Sequence, residues 1–266
     1  MKKTILITGS TDGIGKLAAI KLAKDGHNVY LHGRDGEKLQ KVLSEVKAES
    51  GNERVEGFTA DFSDLNAVRK MAVQVKQELP KLDVLINNAG VFESPVSQTE
   101  DGLDIRFAVN YLAPYLLTKN LLPFIKKGKA SRVLNVSSAA QSPVSLQALK
   151  GEERLSARSA YAQSKLALAM WNTQLAETEP ELTAIVVNPG SLLNTKMVED
   201  AFGYHQSPAE KGGDILYDLA VSEQYREVSG KYFDNDKGDF GSLHKDGTDE
   251  EAIAALMERT EELLEK

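Results

Sequence analysis

Tyr161 and Lys165 stand four residues apart in the run Ser159-Ala160-Tyr161-Ala162-Gln163-Ser164-Lys165. On a helix that spacing puts the phenol and the ammonium on one face. A free phenol has a pKa of about 10, and a fixed positive charge beside it favours phenolate, typically lowering the value by about 1–3 units. Such a group suits reversible proton transfer to a carbonyl oxygen. The same spacing also describes a packed ring beside a solvated amine, so the rest of the chain must decide between the two.

The elements that would position this pair are legible as alternating patterns. Short apolar runs bounded by turn residues recur at 4–8, 28–31, 55–60, 84–86, 132–136, 183–187 and 231–233 and read as buried parallel strands. Helix-period segments lie between them, at 14–26, 36–50, 64–79, 101–127, 155–179 and 208–222. Strict alternation predicts α/β crossovers and a doubly wound, seven-stranded parallel sheet with helices on both faces. A last segment, 248–264, has a cap candidate in Thr248 with Glu251 three residues on, and reads as a surface helix closing the domain. No repeat, low-complexity tract or break in composition divides the chain, so residues 1–266 are expected to form one domain.

Thr8-Gly9-Ser10-Thr11-Asp12-Gly13-Ile14-Gly15 falls where the first strand turns into the first helix. Gly9 permits the tight turn, Gly13 lets backbone approach a pyrophosphate, and Gly15 lets helix pack on strand, with helix amides facing the phosphates. The glycine spacing is wider than the usual G-x-G-x-x-G, and a plain tight turn or a methyltransferase loop fits it too. The second strand ends at Gly33-Arg34, where many NAD-binding folds carry an acid for the ribose 2′-hydroxyl. A guanidinium there favours a 2′-phosphate, hence NADP(H) over NAD(H), unless Arg34 simply pairs with Asp35 or Glu37. Asp61, after the third strand, is placed to accept from an adenine amino group or to cap a helix. Asn87-Asn88-Ala89-Gly90 ends the fourth strand beside the expected crevice.

Together these residues resemble the short-chain dehydrogenase/reductase family. The resemblance is carried in order by Thr8 to Gly15, Asn87 to Gly90, the serine of Val136-Ser137-Ser138, Tyr161 with Lys165, and Pro189-Gly190 after the sixth strand. It covers nearly the whole chain and implies a single NAD(P)-binding Rossmann domain. It further implies that Tyr161 is the proton donor to a carbonyl in reduction, that Lys165 lowers its pKa and bonds the nicotinamide ribose, and that Ser138 bonds the substrate oxygen. Asn110 would hold a water linking Lys165 to solvent. The cofactor set implied is Gly9, Ser10, Thr11, Asp12, Gly13, Ile14, Gly15, Arg34, Asp61, Asn88, Ala89, Gly90, Tyr161, Lys165, Pro189, Gly190 and Thr195. The long stretch between Ser138 and Tyr161, and Ser229-Gly230-Lys231-Tyr232-Phe233 near the end, look like the retinol dehydrogenase and protochlorophyllide reductase branch.

The bulk properties narrow the partners. A net charge of -7 argues against a nucleic-acid or anionic-membrane footprint. With no cysteine and four scattered histidines, no thiolate chemistry or close metal-ligand spacing is expected. The apolar run at 4–7 is too short for a signal peptide or a membrane span, so a cytoplasmic protein is the default expectation. Ser191 to Ser207 is expected to form a lid, with Leu192, Leu193, Met197, Val198, Phe202 and Tyr204 available to a lipophilic carbonyl or alcohol substrate. Val144, Leu146 and Leu149 are candidates for the opposing wall, although all these side chains could pack internally. A non-catalytic dinucleotide-binding regulator is the rival reading, and pairing of copies through helices near 101–127 and 155–179 stays open.

Overall fold

The computed structural model describes residues 2–128 and 130–265. One sheet carries the strands β1 (Thr4–Ile7), β2 (Asn28–Gly33), β3 (Val55–Thr59), β4 (Val84–Asn87), β5 (Arg132–Val136), β6 (Thr183–Asn188), β7 (Lys231–Asp234) and β8 (Asp239–Gly241). Their order is β3-β2-β1-β4-β5-β6-β7-β8, and every pairing is parallel except that of β7 with β8. The chain reverses its winding between β1 and β4, which opens a crevice at the carboxyl ends of those strands.

Helices cover both faces because successive strand residues point to opposite sides. Ile5 and Ile7 face a core formed with α1 (Gly13–Lys24), α2 (Gly36–Ser50) and α9 (Ala209–Val221). Leu6 faces a second core, formed with α3 (Leu65–Glu78), α5 (Ala113–Ile125), α7 (Ala157–Thr178) and α10 (Glu250–Leu264). Asp35 and Asp64 start α2 and α3 by accepting from the amides two residues on. Arg132 is fully buried and forms no ion pair among the described residues. Its guanidinium instead donates to the carbonyls of Leu219 and Ser222 at the end of α9, where the helix dipole favours a cation.

The strand count differs from the expected seven because a hairpin adds β8 antiparallel to β7. Phe240 is the only bulky apolar residue in that three-residue strand, too little to register as a pattern. Its ring packs edge-on against Phe233 at 5.2 Å. The segment at 101–127 is likewise not one helix. It runs through α4 (Ile105–Phe107), a π-helical stretch (Ala108–Leu112) and then α5. Two short helices, α6 (Leu146–Leu149) and α8 (Lys196–Phe202), occupy stretches that sequence patterning left as loop.

The last helix begins one residue later than expected: Asp249, not Thr248, caps α10 by accepting from the amide of Ala252. The helix seals the outer faces of α5 and α7. Leu256 is fully buried, Tyr111 Oη and Thr260 Oγ1 meet at 2.7 Å inside the core, and Glu261 receives both Tyr115 and Lys119. No helix among the described residues is long and apolar enough to cross a membrane. Truncating Leu256 to Ala should destabilise the fold by about 2–5 kcal/mol, read from the midpoint of urea unfolding at unchanged slope.

Candidate active site

The glycine-rich turn is built against the end of β4. Gly9 adopts φ +62°, and a Cβ there would fall 2.6 Å from Ala89 Cα, so no other residue fits. A Cβ at Gly15 would fall 2.4 Å from Asn88 Nδ2, which donates to the carbonyls of Thr8 and Gly9. Thr8 Oγ1 accepts in turn from the amides of Asn88 and Ala89. Asp12 caps α1 through the amide of Gly13 and pairs with Lys38 at 2.8 Å, and both contacts hold its carboxyl below the ordinary range. The first-turn amides of α1, at Ile14 and Gly15, have no intrahelical partner at the helix end that follows the glycine turn. Such a cradle fits a dinucleotide pyrophosphate.

His32 is a part of this machinery that sequence reasoning missed. It is buried on β2, stacked on Phe62 with centroids 4.2 Å apart. Its Nδ1 accepts from the amide of Gly9 and its Nε2 lies 3.0 Å from the carbonyl of Ala60, so the ring is neutral with its proton on Nε2. Ser10 completes the tie: its Oγ accepts from the amide of His32 and donates to the carbonyl of Ile7. A lone histidine after Val29 to Leu31 carries no sequence signal for this, since its partners lie on two other segments, the glycine turn and the end of β3.

Arg34 is exposed at the mouth of the same crevice. Asp35 does not pair with it, because that carboxylate caps α2 through the amides of Glu37 and Lys38. Gly33 beside it is filled by Thr11, whose Cγ2 would lie 2.6 Å from an added Cβ. Asp61 closes a local turn on the amide and hydroxyl of Ser63, and the cap of α3 is Asp64.

At the centre of the crevice the expected reacting residues converge from α7, the π-helical stretch and the end of β5. Lys165, buried on α7, donates to the carbonyl of Val136 at 2.8 Å, and its Nζ lies 5.6 Å from the centroid of the Tyr161 ring. A Cβ on Gly90 would sit 3.4 Å from both Lys165 Nζ and Asn110 Oδ1. Asn110, in the π-helical stretch, is held by the amide and carbonyl of Val91 and by Ser164 Oγ. Ser138 follows β5, its Oγ accepting from the amide of Ala140. Ser137 turns away and donates to the carbonyl of Lys165 at 2.8 Å, which fastens α7 to the end of β5.

The electrostatic balance differs from the expectation that Lys165 lowers Tyr161. Burial pushes the Tyr161 phenol up, and the neighbouring Ser138 hydroxyl only partly opposes this. Burial also lowers Lys165 to about 8. A lysine that is itself desolvated and turned toward a carbonyl projects less positive potential at the phenol.

The remaining sequence-marked residues divide. Thr195 packs over Gly13, with its Cγ2 3.5 Å from an added Cβ, and Pro189 and Gly190 follow β6 at the same edge. Phe202 on α8 reaches Phe92 at 5.4 Å, and Phe92 in turn lies 4.7 Å from the ring of Tyr161. Tyr204 is exposed. Leu193 instead packs inward against α9, and Leu149 is fully buried with Val144 and Leu146 packed around the same core. Those side chains are structural anchors and not an open wall. Phe92 was missed because nothing in Val91-Phe92-Glu93 distinguishes it from any loop aromatic.

A doubly wound sheet with a glycine turn at its switch point defines a dinucleotide-binding α/β protein. Residues 3–204 match the family model described as short chain dehydrogenase, and the chain belongs to that family. It is 35% identical over 252 residues to "Retinol dehydrogenase 13" of Mus musculus, an alignment covering 87% of this chain and 75% of that protein. It is 34% identical over 264 residues to "Polyprenol dehydrogenase" of Homo sapiens, covering 91% and 79%. Among solved structures, a short chain dehydrogenase from Burkholderia cenocepacia in complex with NADP superposes with a TM-score of 0.69 at 28% identity, covering 87% of this chain and 95% of that one.

His32 gives the site an acid limit. Burial lowers its imidazole to about 4, against 6.5 in the unfolded chain. Its contribution to stability is complete above pH 6.5 and is lost as pH falls toward 4, because only the unfolded state takes up the proton in that window. The loss over the whole window is about 3 kcal/mol at 1.36 kcal/mol per unit. His32→Asn should flatten the pH dependence of the unfolding free energy between about pH 4 and 6.5 by close to one proton, measured by denaturant titration across that range.

Proposed function

We propose that this protein is an NADPH-dependent oxidoreductase that reduces a carbonyl, or oxidises the matching alcohol, of a small lipophilic substrate with Tyr161 as acid and base. The observation that carries the reading is the convergence of Tyr161, Lys165, Ser138 and Asn110 on one crevice, with Lys165 Nζ beside Gly90 and the glycine turn on the adjoining strand. NADPH, when bound, supplies the hydride. Tyr161 then gives its hydroxyl proton to the oxygen that gains charge, and Ser138 steadies that oxygen with a hydrogen bond. Lys165 stabilises the phenolate left behind, and Asn110, tied to Val91 and Ser164, holds the solvent side of the lysine. A phenol kept protonated by burial is poised for donation at neutral pH.

The cofactor preference rests on Arg34, exposed at the crevice mouth and without a carboxylate partner among the described residues. The cofactor contacts would come from Gly9 to Gly15, Arg34, Asp61, Asn88 to Gly90, Tyr161, Lys165, Pro189, Gly190 and Thr195. Similarity to retinol and polyprenol dehydrogenases, together with the Phe92 and Phe202 rings beside Tyr161, supports an apolar substrate and the corresponding branch of the family. Screening retinoid, polyprenoid and simple aryl aldehydes for NADPH oxidation tests the reading. A protein that binds NADPH but turns over none of them would favour the regulator.

Tyr161→Phe should abolish most turnover while NADPH affinity, followed by cofactor fluorescence, holds within about two-fold, because the change deletes only the hydroxyl that transfers the proton. Since the phenol is raised, reduction should persist through neutral pH and fade at alkaline pH, whereas alcohol oxidation should rise as the phenolate forms. Arg34→Ala should remove most of the preference for NADPH over NADH, a loss of about ten- to a hundred-fold for a charge-assisted contact of about 1.5–3 kcal/mol. Equal affinities in the parent protein would overturn that assignment.

A further inference from the structure

Leu192 is one of two residues other than glycine with positive φ among the described residues, at +49°. A bulky branched side chain rarely adopts that backbone unless its surroundings impose it. Ser191, immediately before it, is gripped by the turn that joins β7 to β8. The Ser191 amide donates to Asp236 Oδ1 at 2.8 Å and its hydroxyl donates to Oδ2 at 2.5 Å. Asn188 Nδ2 reaches the same Oδ2 at 2.9 Å, and Asn235 Nδ2 donates to the carbonyls of Pro189 and Lys211. The hairpin thus holds both ends of Pro189-Gly190-Ser191.

Beyond Leu192 the chain closes on itself. The Gln206 amide donates to the carbonyl of Leu192, and the Asn194 amide to that of Ser207. Leu193 is buried against Gly190 and Gly212. From this closed base α8 projects so that Phe202 meets Phe92 and Phe92 meets Tyr161.

We propose that Asp236 is a positioning residue for the lid: by holding Ser191 through both carboxylate oxygens it keeps Leu192 left-handed, aims α8 at Phe92, and so sets substrate affinity without touching substrate or cofactor. The proposal rests on reading Ser191 to Ser207 as the lid of a carbonyl-reducing site. Asparagine replaces the carboxylate only in part, since its single acceptor oxygen cannot serve all three donors. Desolvation pushes the Asp236 carboxyl up, but the bonds from Ser191 and Asn188, with Lys211 nearby, outweigh it and hold the group below its ordinary range. The latch is therefore ionised at neutral pH.

The test uses the full-length protein and the variants Asp236→Ala, Asp236→Asn, Leu192→Gly and the Asp236→Ala/Leu192→Gly double. Hydrogen exchange of the cofactor-free protein and steady-state kinetics with an apolar aryl aldehyde are measured on each, with an NADPH titration. Asp236→Ala should speed exchange across 191–207 by about ten-fold and leave strand peptides unchanged. It should raise KM by about five-fold or more with kcat and NADPH affinity within about two-fold. Asp236→Asn should fall between, and it decides the matter if the alanine variant does not fold. Leu192→Gly should restore part of the lost affinity in the Asp236→Ala background relative to its own effect in the parent, because glycine holds a left-handed backbone without a latch. Unchanged exchange across 191–207, a KM change matched by an equal loss of NADPH affinity, or strictly additive effects in the double variant would each overturn the proposal. If no aldehyde is turned over by the parent, the exchange experiment still decides the latch, and the enzymatic reading fails separately.

Discussion

The rest of the structure hangs on a chain of buried amides beneath the crevice. Asn87 Nδ2, at the end of β4, donates to Thr118 Oγ1 on α5 and to Asn135 Oδ1 on β5, and Asn135 Nδ2 donates to Asn172 Oδ1 on α7. All four side chains are buried. A polar group without a partner in such a core is costly, and of the amide atoms in this chain Asn87 Oδ1 is left without one, so the bonds that are made favour the observed register. It ties the two central strands to α5, which continues from the π-helical stretch bearing Asn110, and to α7, which bears the Tyr161 and Lys165 pair. Ser137, donating to the carbonyl of Lys165, adds a second tie at the level of the site itself.

The cofactor side is held by a different device. There the backbone is too tightly packed for side chains, and the glycines are filled by neighbours: Ala89 against Gly9, Asn88 against Gly15, Thr11 against Gly33. His32 supplies the acceptor that the Gly9 amide needs and must stay neutral to do so. The turn is thus shaped before any ligand arrives, which lowers the ordering cost of binding. The reacting side, by contrast, is electrostatically tense. Tyr161 and Lys165 are both pushed toward their neutral forms by burial, which keeps the proton on the phenol and makes both groups responsive to any charge that enters the crevice.

Two additions at the C-terminal end support this centre from behind. The β7–β8 hairpin reaches the loop after β6 through Asn235 and Asp236. Past β8, the amide of His244 donates to Gln141 Oε1, while Gln141 Nε2 donates to the carbonyl of Ser138. Helix α10 then covers α5 and α7, placing Thr260 and Glu261 against tyrosines 111 and 115. A surface that includes those helices is consequently occupied by the chain's own end.

Local patterning alone determined the alternation of strands and helices, the position of the glycine turn and the four-residue spacing of Tyr161 and Lys165, because each is set by periodicity or by backbone constraints within a few residues. The expected helix at 36–50 matches α2, which in the structure is capped by Asp35 at its start and by left-handed Gly51 at its end. Only tertiary structure decided the eighth strand, the break of 101–127 at its π-helical stretch, the inward packing of Leu149 and Leu193, and the roles of His32, Phe92 and Asp236. Each of these depends on partners 20 to more than 100 residues away or on a hydrogen-bond register that composition does not encode. The sign of the Tyr161 shift belongs with them. Spacing brings a cation near a phenol, but how far burial offsets that charge is fixed by everything else packed around the pair.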